Sequence, residues 1–234
     1  MSSAGGSRAQ AGRWVFAGSV LLAVVAATAV SVLALGLPQS RTTTLFEETG
    51  PFEQASPWLW LALALFIALV FRRPTLEVAA GMILAVAAAA REWDWHVAFT
   101  GYSMLKPPFY YREGEPLERV IAGGIMLLVF ASVVVLVARL IHLRPWKRPR
   151  PWWAFALGFA FFMLVFTKAV DRAPGILRDD LGVDLTDGVR LICYAIEEGL
   201  EMMLPLFFAA HTLALARWHK AVGRAHGRPE RAQA

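Results

Sequence analysis

Long runs of apolar residues constrain the fold of this chain more than any other feature of its sequence. A run of about 20 apolar residues matches the ~30 Å hydrocarbon core of a bilayer at about 1.5 Å of helix per residue. Several such runs would leave a water-soluble domain of 234 residues with far too much exposed apolar surface. We therefore predict an all-α, polytopic membrane helix bundle. Its six or so transmembrane helices are expected at about 14–36, 57–71, 75–96, 119–141, 152–170 and 190–216.

These spans are expected to form one transmembrane domain, 14–216, between a short cytoplasmic tail at 1–13 and a basic cytoplasmic tail at 217–234. The first apolar run follows Arg8 and Arg13, as in a signal peptide. It is longer than the ~7 to 15 apolar residues of such a peptide, so we expect an uncleaved first helix. The second run is short for a complete crossing.

Basic residues predict the orientation, because lysine and arginine accumulate in short cytoplasmic loops. With six spans, the basic segments all fall on one side and the acid-bearing loops on the other. Both termini are then cytoplasmic in a bacterial-type inner (plasma) membrane. The net charge of +5 is explained by these loops. We therefore expect membrane lipid as a partner, and no nucleic acid.

Cysteine usage and short motifs restrict the chemistry. Cys193 is the only cysteine, which excludes an intrachain disulfide and a CxxC redox pair. Neither HExxH nor GxSxG occurs in the chain. The sequence therefore identifies no catalytic residue.

The last apolar run carries three glutamates, Glu197, Glu198 and Glu201. At about 100° per residue, Glu198 lies about 100° from Glu197 around the helix, and Glu201 falls between them. Tyr194 and Arg190 project into the same arc. One face of this helix is therefore predicted to be polar from its outer end to about the middle of the membrane, as a ligand or ion site requires.

Three unpaired glutamates would oppose membrane insertion, since an acid near the centre of a span costs on the order of 2.5 to 3.5 kcal/mol. Compensation is expected from protonation, from a cationic side chain, or from a bound cation such as a divalent metal ion. Because close carboxylates titrate as a coupled set, we expect at least one of the three to hold a proton near neutral pH.

Two other predicted spans end in ionisable residues on the same side of the membrane. Because the fifth and sixth spans form a hairpin, Lys168 is expected at a depth similar to that of Glu197. Glu92 and His96 are four residues apart and are expected to share a helical face. Glu197, Glu201, Glu92 and His96 are the possible metal ligands. The further candidates for one outward-opening pocket are Asp171 and Arg172 on the fifth span and Arg91 and Asp94 on the third.

Ordinary structural roles stand beside these functional ones. The charged span ends can be interfacial ion pairs, and the glutamates can form an ion-pair network between helices. His211, nearer the cytoplasmic end, is expected to hydrogen-bond to a neighbouring helix. The aromatic and basic loop at 97–114 is expected to be an amphipathic connector, or to cover the pocket or bind a lipid phosphate.

Three functions follow from these features. The first is a membrane protein that binds a proton, a cation or a small polar ligand at the glutamates, as in transport or ion handling. The second is a membrane-embedded hydrolase or transferase, possibly metal-dependent, that acts on a lipid-like substrate. The third is a non-catalytic assembly or interaction protein, which binds another membrane protein or a second copy of itself.

Overall fold

A computed structural model describes residues 3–46, 50–143 and 151–226, with side chains described within 13–38, 40–42, 44–46, 50–143 and 151–220. Every regular element in these residues is a helix, which confirms the all-α prediction. The helices are α1 (Ser3–Gly36), α2 (Gln39–Phe46), α3 (Pro51–Phe71), α4 (Leu76–Glu92), α5 (Trp95–Ala98), a π-helix (Phe109–Glu113), α6 (Pro116–Leu143), α7 (Trp152–Asp179) and α8 (Asp187–His226).

Several helical stretches are long and apolar enough to cross a membrane, as expected for a membrane protein. Among the described residues there are five, at Arg13–Gly36, Pro116–Leu143, Trp152–Asp179, Asp187–Lys220 and within Ser40–Phe71, where the structure describes α2 and α3 but not residues 47–49. The predicted third span forms α4, whose 17 residues extend about 26 Å, a little less than the ~30 Å hydrocarbon core. The count of six spans and the cytoplasmic location of both termini therefore stay predictions.

The helices extend beyond the apolar runs that predicted them. Residues 3–13 continue α1 and residues 217–226 continue α8, so the described parts of both predicted tails are helical. Hydropathy marks only the part of a helix that suits lipid, whereas the helix ends where its backbone hydrogen bonds end. The rest of the two tails and the basic loop at 144–150 lie outside the described residues.

Local capping explains where α4 and α6 begin. The side chain of Thr75 accepts a hydrogen bond from the backbone N–H of Val78 at the start of α4. At the start of α6, the Glu118 carboxylate accepts one from the backbone N–H of Glu115, which satisfies a donor that the helix itself leaves unpaired. Pro116 is the first residue of α6, a position where its missing N–H has no partner within the helix to lose.

The chain divides into two compact units, with the boundary within α3 between Phe52 and Glu53. The first unit contains α1, α2, α7 and α8, and the second contains most of α3 together with α4, α5, the π-helix and α6. In the second unit α4 packs against α6. The single transmembrane domain expected for 14–216 stays a prediction.

Aromatic contacts fix the helix directions in the first unit. Phe16 on α1 lies beside Phe159 near the start of α7, and Phe159 also contacts Phe207 on α8. Farther along α1, Val30 packs against α8 beside Gly199. The helices α1 and α7 therefore run in the same direction, and α8 runs opposite to both.

A small apolar core holds the first half of α8 against α1 and α2. Val30, Ala34, Phe46 and Ala195 form this core. Gly199 makes the close approach of α1 possible, because a Cβ there would lie 2.6 Å from Val30 Cγ1. These contacts set the depth and rotation of the α8 segment that carries the glutamates.

Candidate functional site

A lysine on α7 faces two glutamates on α8. Lys168 Nζ lies 2.5 Å from Glu201 Oε1 and 3.8 Å from Glu197 Oε1. The side chains of Glu197 and Glu201 are 10% and 14% exposed, and the side chain of Lys168 is 41% exposed. The two carboxylates stand one helical turn apart, so a single ammonium group contacts both. The contact brings Lys168 level with Glu197 along the two helices, and their depth in the membrane stays a prediction.

Contacts farther along the helix pair hold α7 and α8 in this register. The rings of Phe159 and Phe207 meet edge to face, with 5.3 Å between their centroids. Nearer the end of α8, His211 Nδ1 lies 3.0 Å from the backbone carbonyl oxygen of Trp153. Because that carbonyl only accepts, Nδ1 carries the proton of this hydrogen bond. The prediction that His211 bonds to a neighbouring helix is confirmed.

A half-open cavity of about 370 Å³ lies beside the Lys168 ion pairs, between α7 and α8. Glu197 is the residue common to the ion pairs and the cavity wall. The wall consists of two stripes that follow the one-face spacing i, i+3, i+4, i+7, with one additional residue, Val170, in the α7 stripe. The lining residues are Val170, Asp171, Pro174, Gly175 and Arg178 from α7, and Arg190, Cys193, Tyr194 and Glu197 from α8.

Both arginines of the cavity wall also contact acids outside it. Arg178 donates from Nε to the carboxylate of Asp179 at 2.8 Å. Arg190 donates from Nη2 to Asp184 at 3.1 Å. Asp179 and Asp184 are exposed, and ion pairs with solvated carboxylates contribute little stability, so either guanidinium can exchange partners at low cost.

The structure brings most of the predicted residues of the last two helices together. Asp171, Arg190 and Tyr194 line the cavity. Glu198 lies on the same helix, half-buried, and does not line the cavity. The side chain of Arg172 is 80% exposed and lies 3.8 Å from the carboxylate of Asp171, outside the cavity lining.

Two lining residues with ionisable side chains, Arg178 and Cys193, were missed by sequence reasoning. Arg178 lies seven residues after Asp171 on the same helical face, so its spacing gave a usable signal. Hydropathy gave no such signal, because Arg178 stands eight residues beyond the apolar run ending at Val170, whereas Asp171 and Arg172 follow it directly. Cys193 was considered only as a thiol that forms no disulfide, and its place in the wall depends on how α8 is rotated against α7.

The predicted charged end of the third span lies in the second unit, where it is divided between α4 and α5. The helix α4 ends at Glu92, and Asp94 takes a left-handed backbone conformation with φ of 53° before α5 begins at Trp95. The prediction that Glu92 and His96 share a helical face is therefore wrong. Instead, Arg91 pairs with Glu92 at 3.1 Å, and His96 Nδ1 lies 3.8 Å from Asp94 Oδ1.

No metal site is formed by the residues that the structure describes. Among them, no three histidine, cysteine, aspartate or glutamate side chains are grouped as a metal ion would require. Glu197 and Glu201 face the ammonium group of Lys168 instead. Of the three expected forms of compensation for the buried acids, the structure therefore shows a cationic side chain, that of Lys168.

No protein-family model, no curated protein and no solved structure matches this chain.

Proposed function

We propose that this chain is a multi-pass membrane protein that binds a proton or a small cationic ligand at the carboxylates of α8. Lys168 is the exchangeable counter-charge of this site. The observation that carries the proposal is the position of Lys168 Nζ between Glu197 and Glu201, at the edge of an open cavity.

The charge balance of the ion pairs favours a bound cation. One ammonium and two carboxylates together carry one net negative charge. Net charge in a poorly solvated site is costly, and protonation of a carboxylate or binding of a cation removes it. Taken by themselves, Lys168, Glu197 and Glu201 therefore carry one net negative charge, which a proton or another cation at Glu197 neutralises.

The unequal distances indicate which carboxylate receives the cation. Lys168 lies closer to Glu201, at 2.5 Å, than to Glu197, at 3.8 Å. Glu197 is also the carboxylate in the cavity wall. A cation that enters through the cavity therefore meets Glu197 first and leaves Lys168 paired with Glu201.

The membrane setting of the proposal is the outer half of a bacterial-type inner membrane, with six crossings. It is supported by the five long apolar helices and by the distribution of basic residues along the sequence. In that setting the cavity opens away from the cytoplasm.

A structural ion-pair network is the second candidate. It is favoured by the 2.5 Å contact between Lys168 and Glu201, which joins two packed helices. A purely structural network predicts that the carboxylates stay ionised and bind nothing.

Infrared difference spectroscopy of the protein in nanodiscs, between acidic and alkaline pH, tests the proposal. Protonated and ionised carboxyl groups absorb at different frequencies. We expect a carboxyl band that is lost in Glu197→Gln, and a shift of the Glu197 carboxylate band when methylammonium is added. Glu113→Gln, at an exposed site in the second unit, is the matched control and should keep both signals. If neither signal depends on Glu197 or Glu201, the proposal is wrong.

A further inference from the structure

The charges of the cavity wall are separated into an acidic end and a basic end. Because α7 and α8 are antiparallel and Lys168 is level with Glu197 and Glu201, Asp171 lies near the level of Glu197. Both carboxylates line the cavity. Seven residues farther along α7, Arg178 lies near the level of Arg190.

The two ends are far enough apart to bind opposite charges of one small molecule. Seven residues of helix extend about 10 Å, and long arginine and glutamate side chains shorten the gap between their charged groups. Pro174, Gly175 and Cys193 line the wall between the ends. The four charged lining side chains sum to zero, so a ligand with no net charge but two charged ends suits the cavity.

We propose that this cavity binds a zwitterion of the phosphoethanolamine type, whose ammonium contacts Asp171 and Glu197 and whose phosphate contacts Arg178 and Arg190. The proposal rests on the proposed function, because the ligand's ammonium is the cation that Glu197 receives. A primary ammonium has three donors to share between two carboxylates. Two guanidinium groups match the oxygens of a phosphate, since each can bind two of them in a planar fork.

The wall is built so that the ligand can replace existing contacts. When the ligand binds, Arg178 and Arg190 leave the exposed carboxylates of Asp179 and Asp184 and contact the phosphate. Lys168 keeps its shorter contact with Glu201 when the ammonium takes Glu197. The cavity volume of about 370 Å³ lies within the range of roughly 300 to 1,000 Å³ that is usual for small-molecule sites.

Phosphatidylethanolamine carries this ammonium and phosphate in its headgroup. The cavity wall runs from Val170, at the end of the apolar run 152–170, to Arg190, at the start of the run 190–216. The basic end of the wall, at Arg178 and Arg190, lies about 10 Å farther along the helices than the acidic end. The same ammonium and phosphate also occur in soluble phosphoethanolamine compounds, so the two sources must be separated by experiment.

Cys193 provides the probe, because it lines the cavity and is the only cysteine in the chain. The rate of its alkylation by a small uncharged maleimide is measured in nanodiscs of phosphatidylcholine, phosphatidylethanolamine or phosphatidylglycerol. A further sample combines phosphatidylcholine nanodiscs with soluble glycerophosphoethanolamine. Because protection lowers the rate by a factor of 1 + [L]/Kd, a ligand at about ten times its Kd slows alkylation about tenfold.

We expect strong protection by phosphatidylethanolamine and none by phosphatidylglycerol, which has the phosphate but no ammonium. Protection by glycerophosphoethanolamine alone would assign the site to a soluble zwitterion. Arg178→Gln and Glu197→Gln should each abolish protection, whereas Arg172→Gln, at an exposed cation on the same helix, should retain it. Arg178 is exposed, so its variant stays informative if Glu197→Gln fails to fold.

Gly175→Leu gives an independent test by steric block. A Cβ at Gly175 meets no atom within 4 Å, and Gly175 lines the cavity, so we expect a leucine there to reduce the cavity volume. The amount of phosphatidylethanolamine retained by the purified protein should fall several-fold. Gly158→Leu, also in open space on α7 but outside the cavity lining, is the matched control.

The proposal is overturned if neither phosphatidylethanolamine nor glycerophosphoethanolamine protects Cys193 relative to phosphatidylcholine alone, if phosphatidylglycerol protects equally well, or if both Arg178→Gln and Glu197→Gln keep full protection. Loss of protection in Arg178→Gln alone would reveal a site for anions only, which also overturns it. Absence of protection together with an intact Glu197 infrared band would refute this inference and leave the proposed function standing. Absence of the Glu197 band from the infrared spectrum of the wild-type protein would refute the proposed function itself.

Discussion

Replacing Lys168 by methionine removes the one positive charge that contacts both Glu197 and Glu201. The ammonium and the two carboxylates carry one net negative charge, and the variant leaves two. Removing one partner of a buried ion pair costs roughly 3 to 5 kcal/mol. Because the Lys168 side chain is 41% exposed, solvent screening reduces the expected loss of unfolding free energy to about 2 to 4 kcal/mol.

Equilibrium unfolding in mixed detergent micelles measures this loss, with fluorescence of the nine tryptophans as the signal. Arg172→Met is the matched control, one helical turn along α7, at a side chain that is 80% exposed. We expect it to change the unfolding free energy by less than about 0.5 kcal/mol. If Lys168→Met proves as stable as Arg172→Met, Lys168 does not compensate the two carboxylates.

Removing all three charges separates the cost of an unpaired charge from the contribution of the ion pairs. In the triple variant Lys168→Met, Glu197→Gln, Glu201→Gln no carboxylate is left without a counter-charge. Replacing a whole buried ion-pair group is often nearly neutral, so stability should return to within about 1 kcal/mol of the wild type. A triple variant as unstable as Lys168→Met would instead favour the structural network.

Three further predictions concern packing and topology. Gly199→Ala should lower the unfolding free energy by about 1 to 3 kcal/mol, because the added Cβ would lie 2.6 Å from the Val30 side chain. Val30→Ala in the same chain should restore part of that loss, and a Gly199→Ala variant of unchanged stability would contradict the close approach. His211→Phe should cost about 1 kcal/mol in the same assay, through loss of its 3.0 Å hydrogen bond to the α7 carbonyl, and no loss would mean that the bond contributes nothing. Because α1 and α7 run in the same direction, the chain between them must cross the membrane an odd number of times, so α4 should span as well. In a Cys193→Ser background, cysteines at Arg73 and Lys106 should then react with impermeant reagents from opposite sides, and reaction from one side would refute six crossings.

The local features of this protein could be predicted from its sequence. Apolar runs are a local property of the chain, so the sequence was sufficient to predict the all-α fold and the apolar part of α6 at 119–141. The pairing of Lys168 with Glu197 also followed from sequence, because a helical hairpin brings residues of equal depth together. The break in the helix after Glu92 could not be predicted, because the left-handed backbone conformation of Asp94 is rare for a residue other than glycine.

The identity of the cavity wall was decided by tertiary structure alone. Arg178 and Cys193 reach the cavity because α7 and α8 meet in one register and one rotation, fixed by contacts such as Phe159 with Phe207 and His211 with the Trp153 carbonyl. A rotation of α8 by one residue, about 100°, would turn a different face to α7. The sequence therefore determined that charged residues occupy these two helices, and only the packing of one helix on the other decided which of them share a cavity.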